Sequence, residues 1–195
     1  MRRCLPLLLV AAAAATGCIT TVDVSRTVEP SSAPADRSSE KAGVVCTHKL
    51  LDSVARASYY ELDYEARIGD ALCSSLQKSV EGTYRSAERT VDPYRGQFGR
   101  VVKFDLRGVT LDVQKHDGLT RVACSISVVV EHFGRDMQRQ STKGVSGNGF
   151  VERHDATDAV MRDAIETALQ QVVDNASSLL VAGIDGPRIQ ASQPR

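Results

Sequence analysis

Cysteine is the residue type in this chain best suited to covalent chemistry, and its five copies are Cys4, Cys18, Cys46, Cys73 and Cys124. Cys18 is set apart by its neighbours. It follows Ala15-Thr16-Gly17, a run of small side chains. Upstream lie Arg2 and Arg3, then an apolar run over residues 5–15 interrupted only by Pro6. That run is shorter than the ~20 apolar residues of a spanning helix, and a basic start followed by a short apolar run is the pattern of an export signal. Cys46, Cys73 and Cys124 fall where a core face is expected. There they serve as small buried hydrophobes or form a disulfide, which an exported compartment permits. Three is an odd number, so one thiol stays free or pairs between chains, and spacing does not choose the pairing.

The other reactive types are scattered. His48, His116, His132 and His154 include no pair at metal-binding spacing, and no Cys-x-x-Cys occurs. Gly144, Gly147 and Gly149 lack the Lys-Ser/Thr of a phosphate loop, and a dinucleotide fingerprint would need glycine where Glu152 stands. They read as a flexible exit from an edge strand. No Gly-x-Ser-x-Gly elbow is present. The expectation is no catalytic, cofactor-binding or metal-binding residue, and no enzyme. All five tyrosines, Tyr59, Tyr60, Tyr64, Tyr84 and Tyr94, crowd into one stretch. Tyrosine offers apolar area with a polar tip, so Tyr59, Tyr60 and Tyr64 are candidates for a partner surface. The competing reading is loop tyrosines that close one end of the core. With 24 Lys+Arg against 24 Asp+Glu, the chain lacks the basic footprint of a nucleic-acid binder.

The elements that must position these residues follow from periodicity. Residues 18–42, rich in Thr, Ser, Pro and Ala, read as a disordered tether, with a reach of roughly 25–30 Å that would hold the domain clear of a membrane. Residues 44–50 alternate as a first strand. Ile68, Leu72, Leu76 and Val80 mark one helix face from about residue 65, ending near Gly82. Val102, Phe104 and Leu106 have the opposite parity to Val109, Leu111 and Val113, which predicts a bulge at Gly108. Asp117-Gly118 predicts a hairpin turn, and residues 122–130 return as a strand. Gly134-Arg135-Asp136 is a second turn, leading to a polar edge strand over about 137–146. From Asp158 to Gly183 a long amphipathic helix follows, with Asp155 or Thr157 as its cap. The expected fold is α+β: a β-α-β-β-β-α sandwich, mostly antiparallel, with two helices on one face of the sheet. The domain would span 43–184, with a flexible tail at 185–195.

The leader and its Ala15-Thr16-Gly17-Cys18 ending resemble a bacterial lipoprotein signal peptide with its lipobox. The resemblance implies removal of residues 1–17 and attachment to Cys18 of a thioether-linked diacylglyceryl group and an amide-linked acyl chain. Two or more chains make such an anchor stable. It also implies the outer membrane, facing the periplasm, because Ile19 stands where Asp would favour retention at the inner membrane; the inner membrane and the cell surface stay open. Loss of Arg2 and Arg3 leaves 22 basic against 24 acidic side chains, a net charge of −2. Ile68-Gly69-Asp70-Ala71-Leu72 in the first helix, with Asp158-Ala159-Val160, Ala164-Ile165 and Ala168-Leu169 in the last, resemble small Gram-negative envelope lipoproteins that assist lipopolysaccharide assembly or lipid transport. That resemblance implies a non-enzymatic protein binding an envelope protein or lipid partner. The alternative is a periplasmic module for a small amphiphilic ligand.

Overall fold

The computed structural model describes residues 19–32, 37–155 and 157–184. The fold is α+β, with one mixed five-stranded sheet, a three-stranded sheet and three helices. The strands are β1 (Ile19–Thr21), β2 (Ser38–Cys46), β3 (Val54–Tyr59), β4 (Leu62–Arg67), β5 (Tyr84–Arg89), β6 (Arg100–His116), β7 (Leu119–Phe133) and β8 (Arg139–Arg153). The helices are α1 (His48–Leu51), α2 (Gly69–Thr83) and α3 (Asp158–Ile184).

The large sheet has the order β5-β2-β6-β7-β8. β2 is flanked by parallel partners, while β6, β7 and β8 form an antiparallel meander. The predicted bulge falls between Leu106 and Gly108, and brings Val102, Phe104, Leu106 and Leu111 to one buried face despite the change of parity. Asp117 and Gly118, with φ of 48° and 79°, form the tight β6–β7 turn. Val122, Cys124, Ile126, Val128 and Val130 alternate on β7 and are buried, with α3 packed on the strand.

β8 extends further than its polar start suggests, because its glycines are packing positions. A Cβ at Gly147 would lie 2.1 Å from the Ala168 carbonyl oxygen, and one at Gly149 would lie 1.7 Å from that of Ala164. The expected flexible exit is therefore a contact where α3 lies against the strand backbone. Ala164 and Ala168, one turn apart, are the small helix residues that permit it. Thr157, rather than Asp155, caps α3, its Oγ1 accepting from Val160 N at 3.4 Å. The helix runs one residue past Gly183.

Two other expectations are corrected. The strand over 44–50 ends at Cys46, because Thr47 turns the chain and caps α1, accepting from Leu50 N. The helix expected from residue 65 begins at Gly69, since residues 54–67 are an antiparallel hairpin, β3–β4. Gly69 meets α1 so closely that a Cβ would fall 1.9 Å from the Leu51 carbonyl oxygen.

The largest correction concerns the expected tether over 18–42. β1 pairs in parallel with β4, and Val22 N extends the ladder to the Glu65 carbonyl at 2.8 Å. Val22, Val24 and Val28 are buried in the same core as α2 and α3. Val28 N donates to Ser75 Oγ of α2 at 2.9 Å, Arg162 Nε of α3 donates to the Asp23 carbonyl at 2.9 Å, and Ser31 N donates to Asp174 Oδ1 at 2.7 Å. Burying three valines and pairing the backbone around them outweighs the entropy of ordering residues 19–28. Residues 19–28 are therefore part of the folded unit.

Candidate functional site

Gly17 and Cys18, the expected cleavage and lipid-attachment residues, lie outside the described residues, as does the expected tail at 185–195. The residue after Cys18 is described. Ile19 opens β1 opposite Asp63, at the end of β4 beside the β3–β4 turn. Because β1 and β4 run in the same direction, the chain enters the fold at the tip of that hairpin.

The candidate tyrosines separate there. Tyr64 is buried in the core and leaves the set of surface residues. Tyr59 is part-buried, and its Oη lies 3.1 Å from Thr120 Oγ1, which joins the hairpin tip to the start of β7. Tyr60 is 75% exposed and meets the Tyr59 ring edge to face at 4.5 Å between centroids. Its φ of 54° is the left-handed conformation, which glycine or asparagine adopts at lower cost than a bulky residue. Tyr84 and Tyr94 lie elsewhere: Tyr84 is buried at the end of α2, and Tyr94 is exposed in the loop before β6. Ile19 and Leu62, which periodicity did not single out, are also exposed at the tip. Nothing in the local sequence marks the turn, since it has no Gly, Asn or Pro; only the position of Ile19 next to Cys18 could have drawn attention to it.

The structure joins Cys46, at the end of β2, to Cys73 in α2 by a disulfide across 27 positions. Cys124 is free and buried, facing Gly149 across the β7–β8 ladder. Burial pushes its thiol up to about 12, so it holds no thiolate at neutral pH.

At the opposite end of the large sheet a cavity of about 480 Å³ is lined by Glu40, Tyr84, Arg100, His132 and Ser141 among others. Arg100 donates to Glu40 Oε2 at 3.0 Å, and His132 Nδ1 lies 2.8 Å from Ser141 Oγ. His132 Nε2 is buried without a partner among the described residues. Burial, and after it the Arg100 charge, hold the His132 imidazole below its ordinary value. The folded chain therefore favours the neutral ring, and the unfolded chain takes up the proton first as pH falls. Stability from this group is present above about pH 6.5 and is lost as pH drops below it. The expected result is a lower urea midpoint at about pH 5.5 than at about pH 7.5, with a shallower dependence in His132→Gln. An unchanged dependence in the variant would remove His132 as its cause. Glu131, whose carboxyl Lys103 and Arg139 hold low by hydrogen bonding, titrates beneath that window.

A larger cavity, of about 670 Å³, lies at the start of α2 and is lined by Asp23, Asp52, Arg56, Glu65, Arg67 and Asp70 among others. Arg56 Nε pairs with Glu65 Oε2 at 3.1 Å between the adjacent strands β3 and β4 in its lining. Among the described residues no three His, Cys, Asp or Glu side chains form a group that could hold a metal ion. Nor is any described helix long and apolar enough to cross a membrane.

These features define an α+β domain whose entry strand is built into its core beside an exposed aromatic hairpin. The same fold occurs in a Xanthomonas campestris protein of family DUF330, at 18% identity, covering 85% of this chain and 98% of that one with a TM-score of 0.59. It also occurs in a neuraminyllactose-binding hemagglutinin homologue from Helicobacter pylori, at 11% identity, covering 77% and 88% with a TM-score of 0.50. A minor lipoprotein from Acinetobacter baumannii overlaps less closely, at 15% identity, covering 82% and 100% with a TM-score of 0.39. No family model and no curated protein matches the chain.

Proposed function

We propose that the chain is a non-enzymatic envelope lipoprotein, anchored through lipid on Cys18 to the outer membrane on its periplasmic side, that holds a protein partner in envelope assembly or transport. The observation that carries this reading is Ala15-Thr16-Gly17-Cys18 at the end of a short apolar run behind Arg2 and Arg3. The Cys46–Cys73 disulfide supports export, because such bonds persist in oxidising compartments. Ile19 after the cysteine supports the outer membrane. A protein partner is favoured over a small amphiphile because the 670 Å³ cavity is open and rimmed by paired charges, whereas an acyl chain needs an apolar lining.

The test is Cys18→Ala in the full chain, followed by labelled palmitate incorporation and cell fractionation. The wild type is expected to incorporate label and float with membranes, and the variant to accumulate unprocessed or soluble without label. Normal processing with undiminished membrane association in Cys18→Ala would overturn the anchor.

A further inference from the structure

Where an acylated Cys18 would sit relative to the domain is set by β1. A peptide unit sets neighbouring Cα atoms about 3.8 Å apart, and Ile19 is already paired with Asp63 at the hairpin tip. A lipid on Cys18 would therefore enter the bilayer beside that tip, with no length of free chain between. Of the six large hydrophobic side chains exposed among the described residues, three gather there: Ile19 at 64%, Tyr60 at 75% and Leu62 at 42%. Ile19 pairs with Asp63 and so lies on the opposite face of the small sheet from Leu62, while Tyr60 projects from the turn between Tyr59 and Leu62. They ring the end of the hairpin rather than forming one flat patch, which suits insertion end-on.

From this the geometry points to a second membrane contact: the β3–β4 tip, with Tyr60 at its apex, docks into the head-group region of the same leaflet that holds the Cys18 lipid. It rests on the proposed anchor. Tyrosine is at home at that depth, with its ring among the upper acyl carbons and its hydroxyl among the head groups. Tyr60 stands at the apex in a left-handed conformation that smaller residues reach at lower cost. The Tyr59 Oη contact with Thr120 Oγ1 braces the tip against the large sheet, so lipid contact would orient the whole domain. Two exposed carboxylates at the tip, Glu61 and Asp63, would keep the insertion shallow. The far end of the molecule is then presented to the periplasm: β6 alone has 17 residues, on the order of 55 Å at ~3.3 Å per residue.

The chain has no Trp, so a single introduced indole reports its own surroundings. Full-length Tyr60→Trp is expressed with its leader, purified in detergent and reconstituted into vesicles of phosphatidylethanolamine and phosphatidylglycerol, with and without chain-brominated phosphatidylcholine. Tyr94→Trp serves as the reference. Tyr94 is exposed near the β7–β8 turn, where Gly96 N donates to the Arg135 carbonyl, at the opposite end of β6 from Thr120. The expected result is a blue shift and loss of emission to brominated lipid for Tyr60→Trp, and neither for Tyr94→Trp. If both proteins float with vesicles but Tyr60→Trp stays red and unquenched, tip docking is overturned while the anchor stands. If neither floats and mass spectrometry finds Cys18 unmodified, the anchor has failed and docking falls with it. Circular dichroism spectra matching wild type establish that each variant is folded.

Discussion

Gly149→Ala is expected to destabilise the domain by about 3 kcal/mol or more, beyond the usual cost of adding one methyl to a packed site. The added Cβ would lie 1.7 Å from the Ala164 carbonyl oxygen and 2.8 Å from Ala168 N, both backbone atoms of α3. No rotamer change relieves a clash with helix backbone, so α3 must move off β8. Ile165, Leu169 and Val172, all fully buried, would lose contacts over the sheet as it does. Gly144 on the same strand is the control, because its Cβ would meet nothing within 4 Å. There alanine is expected to be neutral or to stabilise by roughly 0.5 kcal/mol, since glycine carries an entropic cost within a strand. Urea denaturation of both variants measures the difference. Equal midpoints would mean that α3 is not seated on the glycines.

Breaking the Cys46–Cys73 bond is the second large effect. Closing a loop across 27 positions restricts the unfolded chain by an amount worth roughly 3–4 kcal/mol in the chain-entropy treatment. The bond also ties the buried face of α2 to the end of β2, between the two parallel partners of that strand. The double variant Cys46→Ala/Cys73→Ala should unfold at a lower urea concentration by that margin and respond to dithiothreitol no further. The wild type should fall to a similar midpoint when reduced. Of Cys46, Cys73 and Cys124, only Cys124 should react with a thiol reagent in denatured, unreduced protein, and it should not react in the folded state, where burial suppresses its thiolate. A wild-type midpoint indifferent to reductant would sink the assignment of the bond.

The long last helix and the β6–β7–β8 meander were legible because each is written locally. α3 has a sustained helical period, and the meander has alternation with Asp117-Gly118 at its turn. The β3–β4 hairpin was not legible. Its buried face is largely Ala55, Ala57 and Ala66, which carry no strand preference, and its turn relies on Tyr60 in a conformation that no local residue type announces. The valines at 22, 24 and 28 were a faint signal inside a composition typical of disorder. Their burial depends on a groove formed by α2, α3 and β4, which are distant in the chain.

By itself, then, the sequence determined the α+β class and the shapes of its longest elements, since both are set by spacing along the chain. Only the tertiary structure decided which cysteines meet, that Gly147 and Gly149 are contacts instead of hinges, and that Ile19–Thr21 is a strand of the small sheet at the hairpin that carries Tyr60. Those outcomes depend on which distant backbones approach within a few ångströms, and neither residue type nor periodicity encodes that distance.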